Sequence, residues 1–419
     1  MSAPNSLAPR RAALSMLHGV LGEGRLLFEV DRALKGLEPA DKARAQRLAS
    51  QVLRDLGRAD VLLSDYVSKM PPEPVLDVLR LGTVELCANG EAAHGVVNDA
   101  VSITGKIRRA GHLKGLVNAV LRKVARDGPE RWATMTPTEL PDWLRFRLMR
   151  VYGRAAVEQM EAVFAQTPPL DFTAKPGVAL EGAVVLPTGQ QRLERAGQVS
   201  ALPGFETGDW WVQDAAAALP VICLDPQPGQ TALDICAAPG GKTLQLAQAG
   251  AKVRAVDISE PRMERLRENL ARTGLKADVH VGDAIEEKGT YDLVVLDAPC
   301  SATGTIRRHP DLPYAKSTTD FKPLLTLQMR LLRHAAARVA PGGKLLFCTC
   351  SLLPQEGEDQ IAAFVKDQPK WQTMPETFDR PGIDASWRTP EGGLRLRPDY
   401  WADQGGMDGF YIAVLQKHP

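Results

Sequence analysis

A chain of 419 residues exceeds what one hydrophobic core supports, so two or three domains are expected. With 51 Lys and Arg against 50 Asp and Glu, the net charge of +1 gives no global attraction for nucleic acid, and any such binding must come from local patches. Six cysteines without framework spacing argue against a disulfide scaffold, and no apolar run reaches the roughly 18 residues that span a bilayer, so a monomer in a reducing cytosol is expected.

Met1 to Arg25 is basic with few acids, the composition of a transit peptide. Yet Ala13, Leu14, Leu17, Val20 and Leu21 share one helical face and predict a first domain helix. Apolar residues keep three-to-four spacing through Leu34, Leu37, Ala43 to Leu63 and Val75 to Cys87, with Pro71-Pro72-Glu73-Pro74 breaking the series. Val96 to Val124 is again helical, interrupted near Gly111, so residues 1–127 are expected to be all α. The last stretch gathers Lys106, Arg108, Arg109, His112, Lys114, Arg122, Lys123 and Arg126. Such a run reads either as a solvated helical face or as a surface for RNA phosphates, and charge alone does not choose. Residues 128–204 read as a linker and small α/β subdomain, helical from Trp143 to Phe164, with short strands and turns from Pro168 to Gly189.

In residues 205–419 the pattern changes to alternating strand and helix. Ala232 to Cys236 predicts a strand, followed by a glycine turn and a helix through Gly250. Val253 to Ile258 is a second strand, after which Ser259 caps a helix with Pro261 in its first turn. Val279 to Val281, Leu293 to Leu296 and Leu345 to Cys348 are further strands, and a long helix from about Leu324 to Val339 precedes the last. This alternation predicts a doubly wound parallel sheet.

The turn Cys236-Ala237-Ala238-Pro239-Gly240-Gly241-Lys242-Thr243 ends like a phosphate-binding loop, G-x-x-x-x-G-K-[ST], but Cys236 stands where the first glycine belongs. Asp257 near the end of the second strand can accept from ribose hydroxyls, and Asp283 after the third can meet an adenine amino group. Each acid alone reads as a helix N-cap. In this order on successive strands they suit S-adenosylmethionine, a nucleoside without phosphate.

Two cysteines then follow apolar runs, in Leu296-Asp297-Ala298-Pro299-Cys300-Ser301 and in Phe347-Cys348-Thr349-Cys350-Ser351. Either alone could be a buried core thiol. Two at strand ends, where open parallel sheets bind ligands, point to covalent chemistry.

These stretches resemble the Sun/Fmu (RsmB-type) RNA cytosine-C5 methyltransferases. The likeness rests on Leu233 to Thr243, Asp297-Ala298-Pro299-Cys300-Ser301, Arg307-Arg308-His309-Pro310-Asp311, Thr349-Cys350-Ser351, Gln213-Asp214 and Asp408-Gly409-Phe410-Tyr411. Residues 1–127, with Val117-Asn118-Ala119-Val120-Leu121-Arg122, look like the NusB-like helical domain of the bacterial members. The resemblance implies a multidomain chain: an all-α NusB-like RNA-binding domain, then an α/β Rossmann-like methyltransferase domain over 205–419 that takes S-adenosylmethionine. It implies Cys350 as the nucleophile on cytosine C6 and Cys300 as the residue assisting release, with the reverse assignment as the alternative. It also implies cofactor contacts from Cys236, Ala237, Ala238, Pro239, Gly240, Gly241, Lys242, Asp257, Arg262, Asp283 and Asp297. Asp297 could also meet the polar edge of cytosine. Lys242 is either a charge that lowers a thiol pKa or a solvated lysine at a helix start. The implied substrate is small-subunit ribosomal RNA, with transfer RNA and an inactive RNA-binding protein as alternatives, and neither DNA nor a membrane as partner. Two departures stand out: Ala302 replaces a family glycine, and Pro169-Leu170-Asp171-Phe172-Thr173 stands where an arginine-containing strand is usual.

Overall fold

In the computed structural model, residues 7–316 and 320–418 are described; the first six residues of the expected helical domain lie outside them. The chain divides into two compact units, Met1–Gln166 with Ile306–Thr319, and Thr167–Thr305 with Asp320–Pro419. Among the described residues no helix is long and apolar enough to cross a membrane.

The first unit is helical, with helices Leu7–Leu21, Pro39–Arg54, Leu56–Ser64, Glu73–Cys87, Ala93–Thr104, Lys114–Thr134, Asp142–Tyr152 and Arg154–Phe164. Pro39 and Pro74 sit in first turns, where a missing N–H costs nothing. Glu73–Cys87 is central, buried almost continuously from Val75 to Leu86. Gly82 lets the helix Lys114–Thr134 approach, because a Cβ there would lie 2.8 Å from Leu121 Cδ1. Arg10, caught in this core, is paired: its Nε donates to Glu85 at 2.8 Å and its Nη1 to Asp99 at 2.7 Å. The predicted Trp143–Phe164 helix is two helices, hinged at Gly153 with φ +81°.

Ile306–Thr319 lies in sequence between strands of the α/β region, yet it packs with the helices. Leu27 N donates to Asp311 at 2.9 Å, Trp143 Nε1 to the Pro313 carbonyl at 2.8 Å and Tyr314 Oη to the Leu53 carbonyl at 3.2 Å. Arg307 and Asp311 are thereby buried, whereas Arg308 and His309 stay exposed.

The second unit contains two sheets. The smaller is antiparallel, formed by β1 (Leu170–Ala174), β2 (Val184–Val185), β3 (Gln191–Leu193) and β4 (Trp210–Val212) in the order β2-β3-β1-β4. Phe172, Leu180, Leu193 and Trp210 form its core. Register places Asp171 opposite Arg192, and the two make a buried pair with Nε–Oδ1 at 2.6 Å and Nη2–Oδ2 at 2.7 Å. The strand lacking the usual arginine is therefore faced by an arginine from its neighbour.

The larger sheet comprises β5 (Thr231–Ile235), β6 (Lys252–Asp257), β7 (Asp278–Val281), β8 (Tyr291–Asp297), β9 (Val339–Thr349), β10 (Trp371–Thr373), β11 (Leu394–Leu396) and β12 (Phe410–Lys417). Its order is β10-β12-β9-β8-β5-β6-β7, with β11 paired to β12. The five strands from β7 to β9 run parallel, as the alternating pattern predicts. The sheet as a whole is mixed: β12 pairs antiparallel with β9, and β10 and β11 pair antiparallel with β12. Strand order reverses between β5 and β8, and that switch point opens a crevice at the carboxyl ends of both. Helix Gly241–Gln248 follows β5, Glu260–Thr273 follows β6 and Lys322–Ala337 precedes β9. Ser259 occupies the N-cap of its helix, but its side chain makes no cap hydrogen bond.

Removing one member of a buried ion pair leaves the other charge uncompensated. Asp171→Ala should therefore destabilise the protein by about 3 kcal/mol or more in urea unfolding, since Arg192 and the Ala215 amide both lose an acceptor.

Candidate active site

The crevice is walled first by the turn after β5. Cys236 has φ +61°, the left-handed region that glycine favours, so the backbone turns where a phosphate-binding loop would have its glycine. Gly240 has φ +110°, and a Cβ there would come 2.3 Å from Leu266 Cδ1, so the turn lies tightly against helix Glu260–Thr273. Ala237 N donates to the Val256 carbonyl at 3.1 Å and Ala238 N to the Asp257 carboxylate at 3.2 Å, tying the turn to β6. Beneath it lies Asp234, fully buried, accepting from Thr243 Oγ1 at 2.6 Å. Burial pushes its pKa up to about 7 despite that hydrogen bond, and its Oδ1 has no partner among the described residues. Sequence reasoning passed over Asp234, although an acid inside the apolar run Ala232–Ile235 was the available signal.

Asp257 is buried at the end of β6 and also accepts from Ser259 N at 2.9 Å. Each carboxylate oxygen keeps a second lone pair for a ligand hydroxyl, and Ile258 beside it is 77% exposed, an apolar face for a flat base. Arg262 reaches back to the turn, donating to the Ala238 carbonyl, with its guanidinium 3.7 Å from Asp257. Asp283 is exposed and caps the helical turn Ala284–Glu286, accepting from Ile285 N at 3.1 Å. It stays close to the others in the chain, because the neighbouring Gly282 N donates to the Asp257 carbonyl at 3.1 Å. Anchored carboxylates beside an exposed apolar residue fit the ribose and base of S-adenosylmethionine.

Lys242 is not a solvated lysine. It is 7% exposed, with Nζ 2.8 Å from Asp297 Oδ2 and 5.1 Å from the Phe410 ring centroid. Burial opposes its charge, but Asp297 outweighs burial and holds the ammonium protonated. The thiol whose pKa this charge works to lower is Cys348, 3.6 Å from Asp297, and burial nevertheless pushes that thiol well above the usual value.

The two sequence-predicted cysteines meet. Cys300 Sγ and Cys350 Sγ are 3.4 Å apart, each partly exposed, on the turns that leave β8 and β9. The hydrogen bond with Cys350, and then burial, hold the Cys300 thiol well above the ordinary cysteine pKa. The backbone around them is tight: Gly304 N donates to the Cys350 carbonyl at 2.9 Å, and Gly409 N to the Gly304 carbonyl at 2.8 Å. A Cβ on Gly304 would lie 2.0 Å from the Gly409 carbonyl oxygen. Ala302, between Cys300 and Gly304, has φ +59°, so its methyl group sits in a conformation that favours glycine. Glu356 was missed from sequence. It is fully buried and accepts from both serines that follow the cysteines, Ser301 and Ser351.

The arrangement is one of two adjacent thiols beside a buried ion pair, at the carboxyl ends of β5 and β8. It can perform covalent addition to an electron-poor ring, followed by proton transfer.

Comparison with known proteins identifies relatives of both units. A family described as 16S rRNA methyltransferase RsmB/F matches residues 221–416, and the NusB family matches residues 7–126. Ribosomal RNA small subunit methyltransferase B of Enterobacter sp. (strain 638) is 34% identical over 416 residues, covering 89% of this chain and 97% of that protein. The crystal structure of PH0851 superposes with a TM-score of 0.74 at 23% identity, covering 100% of both chains. NSun6 from Pyrococcus horikoshii with SFG superposes with a TM-score of 0.53 at 18% identity, over 67% of this chain and 99% of that one. At these identities the two structures show a shared fold.

Two measurements test the site. Ala302→Gly should stabilise the protein by about 0.5–1 kcal/mol in urea unfolding, the relief of a left-handed alanine less the added chain entropy of glycine. Asp257→Ala should weaken S-adenosylmethionine binding about 10- to 100-fold by calorimetry, the loss of about 1.5–3 kcal/mol from charged hydrogen bonds, while RNA affinity changes less. Unchanged cofactor affinity in the folded variant would remove Asp257 from the site.

Proposed function

This chain belongs to the RsmB/F family of 16S rRNA methyltransferases, and from that premise we propose that it methylates C5 of a cytosine in small-subunit ribosomal RNA through a covalent bond to Cys350. The observation that carries the reading is the 3.4 Å approach of two thiols beside the Lys242–Asp297 pair. The turn from Cys236 to Gly241 and the residues Asp257, Arg262, Asp283 and Asp297 would hold S-adenosylmethionine, with Lys242 fixing Asp297. Bound there, that cofactor supplies a methyl group on a sulfonium, an electrophile that cytosine C5 alone is too weak a nucleophile to attack.

Cys350 overcomes this weakness. Its thiolate adds to C6, the new S–C6 bond forms, and the electron pair of the C5–C6 double bond moves to C5, which then takes the methyl group. Cys300 next accepts the C5 proton, the S–C6 bond breaks, and its electron pair returns to Cys350. The order suits the pair's electrostatics. Cys300 is held protonated while Cys350 is its hydrogen-bond partner; once Cys350 has become a thioether that hold is gone, Cys300 loses its own proton to solvent, and the resulting thiolate accepts the proton from C5. Asp297 lies where it can meet both the cofactor and the cytosine edge. A cytosine in structured RNA must leave its stack to expose C6 to a thiol.

Residues 1–127 serve as the NusB-like RNA-binding domain, 128–204 as linker and small subdomain, and 205–419 as the catalytic domain. The exposed side chains of Lys106, Arg108, Arg109, Lys114, Arg122 and Lys123 suit RNA phosphates. The protein works as a cytoplasmic monomer on RNA rather than DNA.

The two thiols are separated by their products. Cys350→Ala should abolish both methylation and any covalent RNA adduct. Cys300→Ala should form the bond and fail to break it, leaving methylated RNA on the protein as a slow band on a denaturing gel. An adduct in Cys350→Ala and none in Cys300→Ala would reverse the roles.

A further inference from the structure

The carboxylate of Glu356 is fully buried and ends a single helical turn, Pro354–Glu356. A carboxylate taken out of water is tolerated only where donors replace its hydration. Here four donors converge, and none of them is remote from the thiols. Ser301 N donates to Oε1 at 2.8 Å and Gln328 Nε2 to the same oxygen at 3.0 Å, while the hydroxyls of Ser301 and Ser351 both donate to Oε2. Ser301 directly follows Cys300 and Ser351 directly follows Cys350. Gln328 also donates to the carbonyl of Pro299, the residue before Cys300, at 2.9 Å. Thr349, the residue before Cys350, donates from Oγ1 to the Glu356 carbonyl at 3.1 Å. Among the described residues Glu356 makes no hydrogen bond to either sulfur and is tied to the cysteines through their neighbours, while its charge also helps hold the Cys300 thiol above the ordinary cysteine pKa.

We propose that Glu356 is a positioning residue for the methylation: its carboxylate ties the turn carrying Cys300 to the turn carrying Cys350 and so sets the separation of the two thiols. The catalytic importance of that separation rests on the roles given to the cysteines above, whereas the separation itself does not. No other group can take this place by a simple exchange. The amide of Glu356→Gln keeps one acceptor oxygen and turns a donor toward either the Ser301 amide and Gln328 or the two hydroxyls. A charge-assisted clamp thus becomes a neutral one, in which the two hydroxyls must reverse and accept from the amide. Misplacing a reacting group by about 1 Å costs about 100-fold in rate, so a loosened clamp acts on turnover more than on binding.

The test reads the geometry apart from the catalysis. Diamide, a diazene oxidant, takes two electrons and two protons from a thiol pair, becoming a hydrazine as the Cys300–Cys350 disulfide forms. The rate of that crosslink in the folded full-length chain, mapped by mass spectrometry, reports the thiol separation. Glu356→Gln should crosslink at least about tenfold more slowly, lose about 100-fold in kcat, and keep KM for RNA and S-adenosylmethionine affinity within about twofold. Glu356→Asp should recover part of both losses. Ser351→Ala, which deletes a single arm of the clamp, should show smaller losses in the same two readouts and serves if Glu356→Gln does not fold. Wild-type crosslinking and kcat in folded Glu356→Gln or in Ser351→Ala would overturn the proposal, as would a fall in kcat with crosslinking unchanged. Slower crosslinking together with no covalent RNA on Cys300→Ala would keep the clamp and discard the cysteine roles.

Discussion

The parallel pairing of β8 with β9 is the constraint on which the site depends. Its register sets Leu296 beside Phe347 and Asp297 beside Cys348. The two strands therefore end level, and the turns that leave them present Cys300 and Cys350 to one another. Side chains along a strand alternate between faces, so a slip of a single residue would turn Asp297 to the opposite face, away from Lys242, and force both buried faces to repack. Burial guards against that slip. Leu293 to Leu296 and Leu345 to Phe347 are each 1% exposed or less, and shifting them would cost the burial of several large side chains. Register, rather than any strong single contact, is what delivers two thiols to one place.

Around that pairing the molecule places its polar groups where they act on the thiols or the crevice. Lys242 and Asp297 neutralise each other within the sheet's carboxyl edge, so an ammonium can be kept inside without leaving a lone charge. Asp234 lies deeper and has only Thr243, which is why its carboxyl is pushed toward neutrality. Two of the strained positions lie at the same edge. Cys236 and Ala302 both hold left-handed backbone without being glycine, one in the turn after β5 and one in the turn after β8. Their cost, of the order of 1–2 kcal/mol each, is met by cores that bury whole strands.

Much of this was legible in the residues. Apolar runs locate β5 to β8 to within two positions and the end of β9, whose start at Val339 lies six residues before the expected Leu345. The cysteine pair was legible too, since small and turn-forming residues after each run mark strand ends. The glycine expected at Ala302 pointed directly to a residue with positive φ. Other features depend on contacts that local patterns do not carry. The C-terminal strand Phe410–Lys417 runs antiparallel to β9, a direction that an apolar run does not state. The segment 306–316 is short and carries two Arg and two Pro, and only its packing against Leu27, Leu53 and Trp143 shows that it belongs with the helices. Glu356 reads as an ordinary acid in a loop until its donors are seen. Lys242 reads equally as a solvated lysine or as a charge that lowers a thiol pKa, and its burial beside Asp297, 55 residues away, rules out the first.

The central claim is that Cys350 bonds to the cytosine that is methylated. RNA carrying 5-fluorocytosine arrests the reaction after methyl transfer, because the fluorine on C5 cannot leave as a proton does. Digestion of the arrested wild-type complex and mass spectrometry of its peptides locates the modified nucleotide directly. The account predicts a methylated fluorocytidine on the peptide that contains Cys350. The same adduct on the Cys300 peptide, or methylated RNA with both peptides unmodified, would contradict it.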